Sequence, residues 1–250
     1  MERTGYFERA IPFGDVTMEN IYLTSSWAPR REEIQRFVEI TKVVNTFRPC
    51  GQGKPRILDI GCGTGFFAYL LAITGEVQVV GLDPDEALLR GSPYKHLDLR
   101  LEVGDSEDAV RRYNNQNIDL VVNSWMPNGI DQTPHTRRIF GKAIAYVLEL
   151  GGATGVERQS YEPGRNYRRV FKWVGPSNVE VRNIADRLGS GDLSSKFHPK
   201  NYNLIEVQVR KDLPNPIIPE IVIPDSSKYR WEKDLEMFNG PLDAMRISKK

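Results

Sequence analysis

The stretch Leu58-Asp59-Ile60-Gly61-Cys62-Gly63-Thr64-Gly65 sets three alternating glycines directly after a short apolar run. Glycine tolerates the backbone angles of a tight turn and lets main-chain N–H groups come close to a ligand. The residues that follow, 66 to 74, carry apolar side chains at helical spacing and stop at Gly75. The local expectation is a strand, a glycine turn and a helix. The N-terminus of that helix offers free N–H groups and the positive end of its dipole. Glycine spacing alone is shared with ordinary strand-to-helix turns, so the surrounding acids carry the argument further.

The pattern repeats along the chain. Residues 77–82 read as a second strand ending at Asp83-Pro84, followed by a short helix over 85–90. Residues 97–103 alternate as a third strand and end at Gly104-Asp105; residues 107–113 are helical, and 118–122 form a fourth strand. Thr133-Pro134 predicts the start of a long helix to Leu150, ended by Gly151-Gly152, with a fifth strand over 153–157. Strands alternating with helices predict an α/β fold with a doubly wound, mostly parallel sheet. Upstream, Pro29 with Glu32 and Glu33 starts a helix that ends near Phe47, before Pro49. Downstream, 170–174, 204–209 and 221–223 read as strands, and 178–188 and 229–238 as helices.

A chain of 250 residues with 40% hydrophobic and 27% charged residues builds a globular core without disulfide staples. The expected organisation is one domain. Residues 1–53 form an aromatic N-terminal segment and helix able to act as a lid, 54–160 the ligand-binding core, and 161–250 the remainder with additions. A net charge of +1 does not announce a nucleic-acid or membrane partner. The two cysteines, Cys50 and Cys62, make no disulfide framework, and His96, His135 and His198 are too scattered in sequence to suggest a metal site. No signal-like N-terminus and no apolar run of ~20 residues is present, so a cytoplasmic protein without a membrane span is expected.

Asp83 follows the glycine turn by about twenty residues, at a strand end where a carboxylate can accept both hydroxyls of a ribose. It can equally serve as N-cap of the helix that follows. Asp105 ends the next strand on the same edge of the sheet. That carboxyl edge is where open α/β sheets bind ligands.

With these residues in place, positions 56–158 resemble the class I S-adenosylmethionine-dependent methyltransferases. Ile57 through Gly65 is similar to that family's first motif, Val80-Gly81-Leu82-Asp83 to its second and Val103-Gly104-Asp105 to its third. Ile118 through Asn123 stands at the fourth, and Leu150-Gly151-Gly152-Ala153 at the turn before strand five. The resemblance implies a seven-stranded sheet in the order 3-2-1-4-5-7-6, with the seventh strand antiparallel. It also implies S-adenosyl-L-methionine as cofactor. Gly61, Cys62, Gly63 and Gly65 would wrap its methionine end, with Asp59 fixing that end. Asp83 and Pro84 would take the ribose, Asp105 and Ser106 the adenine, and Asn123 would border the site. The acid pattern favours the methyl donor over a nicotinamide dinucleotide, with which the glycine turn is also compatible.

The segment after the fourth strand, Asn123-Ser124-Trp125-Met126, faces the methyl group in this family. Asn123 is the candidate catalytic residue, and Trp125, Met126 and His135 are candidate substrate contacts. Ser124 stands where arginine methyltransferases carry a glutamate, which argues against arginine as acceptor. Trp125 suits a planar or cationic acceptor, or packing under a lid. His135 suits a base, or a surface or capping role. Basic and aromatic residues alternate over 158–173, which fits RNA or one solvated face of a strand pair. The expected activity is methyl transfer to a small molecule. RNA or protein acceptors, a non-catalytic cofactor-binding partner of another methyltransferase, and a nicotinamide oxidoreductase are the competing readings.

Overall fold

The computed structural model describes residues 29–47, 53–92, 94–114, 116–124, 126–127, 129–150, 154–156, 162–177 and 202–221. The expected lid over 1–28, the helices over 178–188 and 229–238, and Trp125 lie outside the described residues, as do Val222 and Ile223 of the last expected strand.

Five helices and seven strands are described. Helix α1 (Arg31–Thr46) precedes β1 (Arg56–Ile60), α2 (Phe66–Ala72), β2 (Gln78–Asp83), α3 (Glu86–Arg90), β3 (Leu99–Val103) and α4 (Ser106–Tyr113). Then come β4 (Leu120–Ser124), α5 (Thr133–Arg138), β5 (Ala143–Leu150), β6 (Tyr167–Ser177) and β7 (Tyr202–Arg210). The strands form one seven-stranded sheet in the order β3-β2-β1-β4-β5-β7-β6. Pairing is parallel from β3 to β5 and antiparallel where β7 meets β5 and β6, so the sheet is mixed.

Alternation along the strands divides the core in two. Ile57, Val79, Leu120, Val122, Ala145 and Val207 point to the face covered by α1 and α2. Leu58, Ile60, Val80, Leu82, Val121 and Tyr146 point to the other face, with Ala109, Val110 and Tyr113 of α4. From β1 the chain steps outward through β2 to β3, then returns to place β4 on the other side of β1. The crevice at the carboxyl ends of β1 and β4 is therefore the point where strand order reverses, the usual position for a ligand in such a sheet.

The fifth strand differs from the sequence expectation. Residues 143–150 are β5 and not the second half of a long helix; α5 stops at Arg138. Gly151 and Gly152 therefore follow the fifth strand instead of preceding it. Residues 143–148 are all fully buried, and a strand buried on both faces reads as a continuous apolar run whose periodicity does not separate it from a buried helix. Its eight-residue antiparallel register with β7, from Ala143↔Val209 to Leu150↔Tyr202, decides between the two.

A buried polar clasp joins α1 to the sheet edge. Glu33 is fully buried and accepts from the Arg30 backbone N–H at 2.8 Å and from Trp173 Nε1 at 3.1 Å. Burial raises its carboxyl pKa, against the lowering influence of Arg30 and the hydrogen bonds. Arg30 also donates to the Val174 carbonyl at 2.9 Å. Trp173→Phe keeps the ring packed on Phe37 but removes one bond to Glu33. It is expected to lower unfolding stability by about 1–2 kcal/mol, measured by urea denaturation.

Candidate functional site

The glycine turn is built on the end of β2. The N–H groups of Gly61 and Cys62 both donate to the Leu82 carbonyl, at 2.8 and 3.0 Å, and Gly65 N–H donates to the Cys62 carbonyl at 2.9 Å. Gly63 N–H donates to Asp83 Oδ2 at 2.8 Å. Gly63 and Gly65 have φ of +58° and +85°, a region that side chains strain to enter. At Gly65 a Cβ would also lie 2.8 Å from Leu101 Cδ2. Gly81, inside β2, lies against the same leucine: its Cβ would be 2.9 Å from Leu101 Cδ2 and 2.9 Å from Cys62 Sγ. Gly81 stands in the sequence as part of the Val80-to-Asp83 motif, whereas nothing in the sequence marks Leu101. A lone glycine within a strand is itself a signal of close approach.

Asp59 lies in β1 beside Gly81 and is fully buried, and neither carboxylate oxygen has a hydrogen-bond partner among the described residues. Burial, with the charge of Asp83 added, pushes its pKa up to about 7. Burial likewise raises the Cys62 thiol, helped by Asp59 and Asp83, so Cys62 stays a neutral thiol. A buried, unpaired carboxylate is costly unless a cation or several donors meet it.

Asp83 is 8% exposed. Its two oxygens accept from Gly63 N–H and, at 2.9 Å, from Asp85 N–H. Burial raises its pKa and these two bonds lower it, with a net upward shift. The N-cap of α3 is Asp85, which accepts from the Ala87 and Leu88 N–H groups, so the capping role weighed for Asp83 belongs to its neighbour. Pro84 is exposed between them. Gly104 N–H donates to the Asp83 carbonyl at 3.0 Å, bringing the β3 end against the β2 end. Asp105 is the exposed N-cap of α4, with Oδ1 accepting from Glu107 and Asp108 N–H at 2.8 Å each. Buried Ser106 begins α4, and its Oγ lies 2.9 Å from Nδ1 of His135 on α5.

Asn123 is fully buried; its amide donates to Gln132 Oε1 at 3.2 Å and Thr136 Oγ1 at 3.1 Å, leaving Oδ1 without a partner. Tyr146, its register partner on β5, also has a buried hydroxyl, close to the Arg137 guanidinium. Burial raises that phenol strongly, against the nearby Arg137 guanidinium. Met126 is 1% exposed and packs in the same core cluster as Tyr146. Above them, Gly129 N–H donates to the Gly155 carbonyl at 2.9 Å and Gly155 N–H to the Met126 carbonyl at 3.0 Å. The loops after β4 and β5 are thus stitched together. His135, a candidate substrate contact, lies with Nδ1 2.9 Å from Ser106 Oγ at the β3 end. In the basic and aromatic tract, Arg168 donates to Asn215 and the Leu213 carbonyl, and Arg169 pairs with Glu206 at 2.6 Å. Among the described residues no group of three or more His, Cys, Asp or Glu side chains is placed to hold a metal ion, and no helix is long and apolar enough to cross a membrane.

A glycine turn on the β2 end, a buried carboxylate behind it and acids at two successive strand ends thus meet along one edge of the α/β sheet. Residues 57–152 match the family model described as a methyltransferase domain. Among curated proteins, the chain is similar to the biotin biosynthesis bifunctional protein BioHC of Cellvibrio japonicus (strain Ueda107), 28% identical over 141 residues. The match covers 54% of this chain and only 28% of that protein. Among solved structures, geranyl diphosphate methyltransferase in complex with SAM aligns over 79% of this chain and 92% of its own, at 12% identity and a TM-score of 0.49. A SAM-dependent methyltransferase from Thiobacillus denitrificans in complex with S-adenosyl-L-homocysteine aligns over 77% and 97%, at 10% identity and a TM-score of 0.48.

Proposed function

We propose that this chain transfers the methyl group of S-adenosylmethionine to a small-molecule acceptor. The observation that carries the reading is Asp59: a fully buried carboxylate, without a partner, against a glycine turn. An α-ammonium group is the complement such a site calls for, and a dinucleotide phosphate is repelled by it. Asp59 would hold the ammonium of the cofactor, Asp83 the ribose hydroxyls, and Asp105 with Ser106 the adenine, one strand further out. The glycine N–H groups would line the chain between them. The bound cofactor supplies a methyl group already activated on a sulfonium.

The protein's contribution to such a displacement is mainly to fix the acceptor in line and to exclude water. Asn123 Oδ1 is oriented by the two bonds its amide makes, and it can accept a proton-bearing N–H or O–H of an acceptor without ionising. The involvement of Arg168 and Arg169 within the chain removes two of the cations that supported RNA as a partner.

Calorimetry with S-adenosylmethionine, S-adenosylhomocysteine and NAD tests the reading. Binding of the first two with no heat from the third is expected. Binding of NAD alone overturns it.

A further inference from the structure

Strand β3 ends the sheet: it pairs with β2 on one side, and among the described residues no strand meets its other side. The Asp98 carbonyl accepts from Val79 N–H at 2.8 Å and Gly104 N–H donates to the Asp83 carbonyl at 3.0 Å, so the even-numbered residues turn their backbone groups toward β2. Leu99, Leu101 and Val103 therefore turn theirs outward, since direction alternates along a strand. Two of these outward groups are satisfied within the chain. Leu99 N–H donates to the His96 carbonyl at 3.1 Å, and the Val103 carbonyl accepts from Arg112 Nη1 at 3.0 Å. The Leu99 carbonyl, both groups of Leu101 and Val103 N–H stay open among the described residues. Such a row is a template for another strand.

The open groups complement a second copy of themselves. In an antiparallel pairing centred on Leu101, the N–H and C=O of Leu101 meet the C=O and N–H of Leu101 in the other copy, and Val103 N–H meets the Leu99 carbonyl. The groups this register leaves at its ends, Leu99 N–H and the Val103 carbonyl, are the two already satisfied. The side chains select the same register. It sets Arg100 directly opposite Glu102 of the other copy, twice by symmetry, whereas a shift of two residues sets Arg100 against Arg100 or Glu102 against Glu102. The Arg100 side chain is exposed, with Nε 2.6 Å from Glu102 Oε1 of its own chain. Leu97 and Val103, 90% and 44% exposed, add apolar surface at the two ends of the strand.

We propose that the chain pairs with a second copy of itself through β3, antiparallel about Leu101, joining two seven-stranded sheets into one continuous sheet. The self-complementary charges argue for a second copy over an unrelated strand. The proposal is independent of the cofactor and acceptor readings above.

Sedimentation velocity on the full chain over a concentration series tests it. A pairing of five residues is small, so a dimer in exchange with monomer is expected, its share rising with concentration. Val103→Pro removes an N–H that the ladder with β2 does not use, and should weaken the dimer by about tenfold or more while thermal unfolding stays nearly unchanged. Arg100→Glu and Glu102→Arg, by opposing like charges, should each weaken it by about tenfold or more. Mixed in equal amounts, those two variants should pair with each other about as well as the unmodified chain pairs with itself, because every Glu then faces an Arg. A role within one chain gives no such rescue. A chain that stays monomeric, a dimer indifferent to all three substitutions, or no rescue on mixing overturns the proposal. A monomer whose Leu101 and Val103 amides resist hydrogen exchange assigns the edge to another segment of the same chain, and overturns it likewise.

Discussion

Replacing Asp59 with Asn is expected to stabilise the ligand-free protein above neutral pH while removing most of its affinity for S-adenosylhomocysteine. The folded protein holds the Asp59 proton up to about pH 7, against an ordinary value of 3.8. Between those values the folded state binds more protons than the unfolded one, so this group's contribution to stability falls as pH rises and levels off above about 7. At about 1.4 kcal/mol per unit, ionised Asp59 costs the empty fold up to about 4 kcal/mol. Asparagine carries no such cost. Thermal unfolding should therefore favour the variant at pH 8 and show little difference at pH 4. A cofactor ammonium placed against the carboxylate reverses the balance. Breaking a buried ion pair costs roughly 3–5 kcal/mol, so affinity should fall by more than about a hundredfold in the variant. In the unmodified protein affinity should climb from pH 5 to pH 7.5, as binding displaces the Asp59 proton. A variant less stable than its parent at pH 8, with cofactor affinity retained, would contradict this account of the site.

Asp83→Ala should weaken the cofactor by about ten- to a few hundred-fold, since each charge-assisted bond to a ribose hydroxyl is worth roughly 1.5–3 kcal/mol and the pair is less than additive. The structure adds a second loss. Asp83 also anchors Gly63 and Asp85 N–H, so its removal loosens the turn that would hold the other end of the ligand. Asparagine, on residue type alone the gentler control, is no longer gentle. It offers one acceptor oxygen to two N–H groups and sets an NH2 against one of them. Titration of both variants with S-adenosylhomocysteine should find Asn nearly as damaging as Ala. Wild-type affinity in Asp83→Asn would place the ribose elsewhere.

The geometry around the glycine turn is legible in the sequence because its constraints are local. Asp59, the glycines, Asp83 and Asp105 sit at fixed positions relative to strand ends, and strand ends are marked by turn residues. The sheet order came with the family resemblance and not from the residues. The stretch 143–150 was misread as helix because burial on both faces erases the period that separates strand from helix. The Ser106–His135 bond and the stitching of Met126 and Gly129 to Gly155 join residues far apart in sequence, and spacing does not predict tertiary contacts of that kind. Tyr146 reads as one more apolar-run residue; only its register with Asn123 sets two buried polar side chains beside each other on adjacent strands.

Leu101 occupies the volume that side chains at Gly65 and Gly81 would each claim. Positions 81 and 101 therefore behave as one unit of inheritance. In a diverging lineage a methyl group gained at 81 must be matched by carbon lost at 101, and the order of the two events matters. The reduction has to come first, since a Cβ at 81 meets the intact Leu101 at 2.9 Å, and Cys62 Sγ, equally close, must shift as well. Position 65 lies outside this exchange: with φ at +85°, shrinking Leu101 gives it room without giving it freedom. Drift around the turn should thus leave a paired record at 81 and 101 and none at 65.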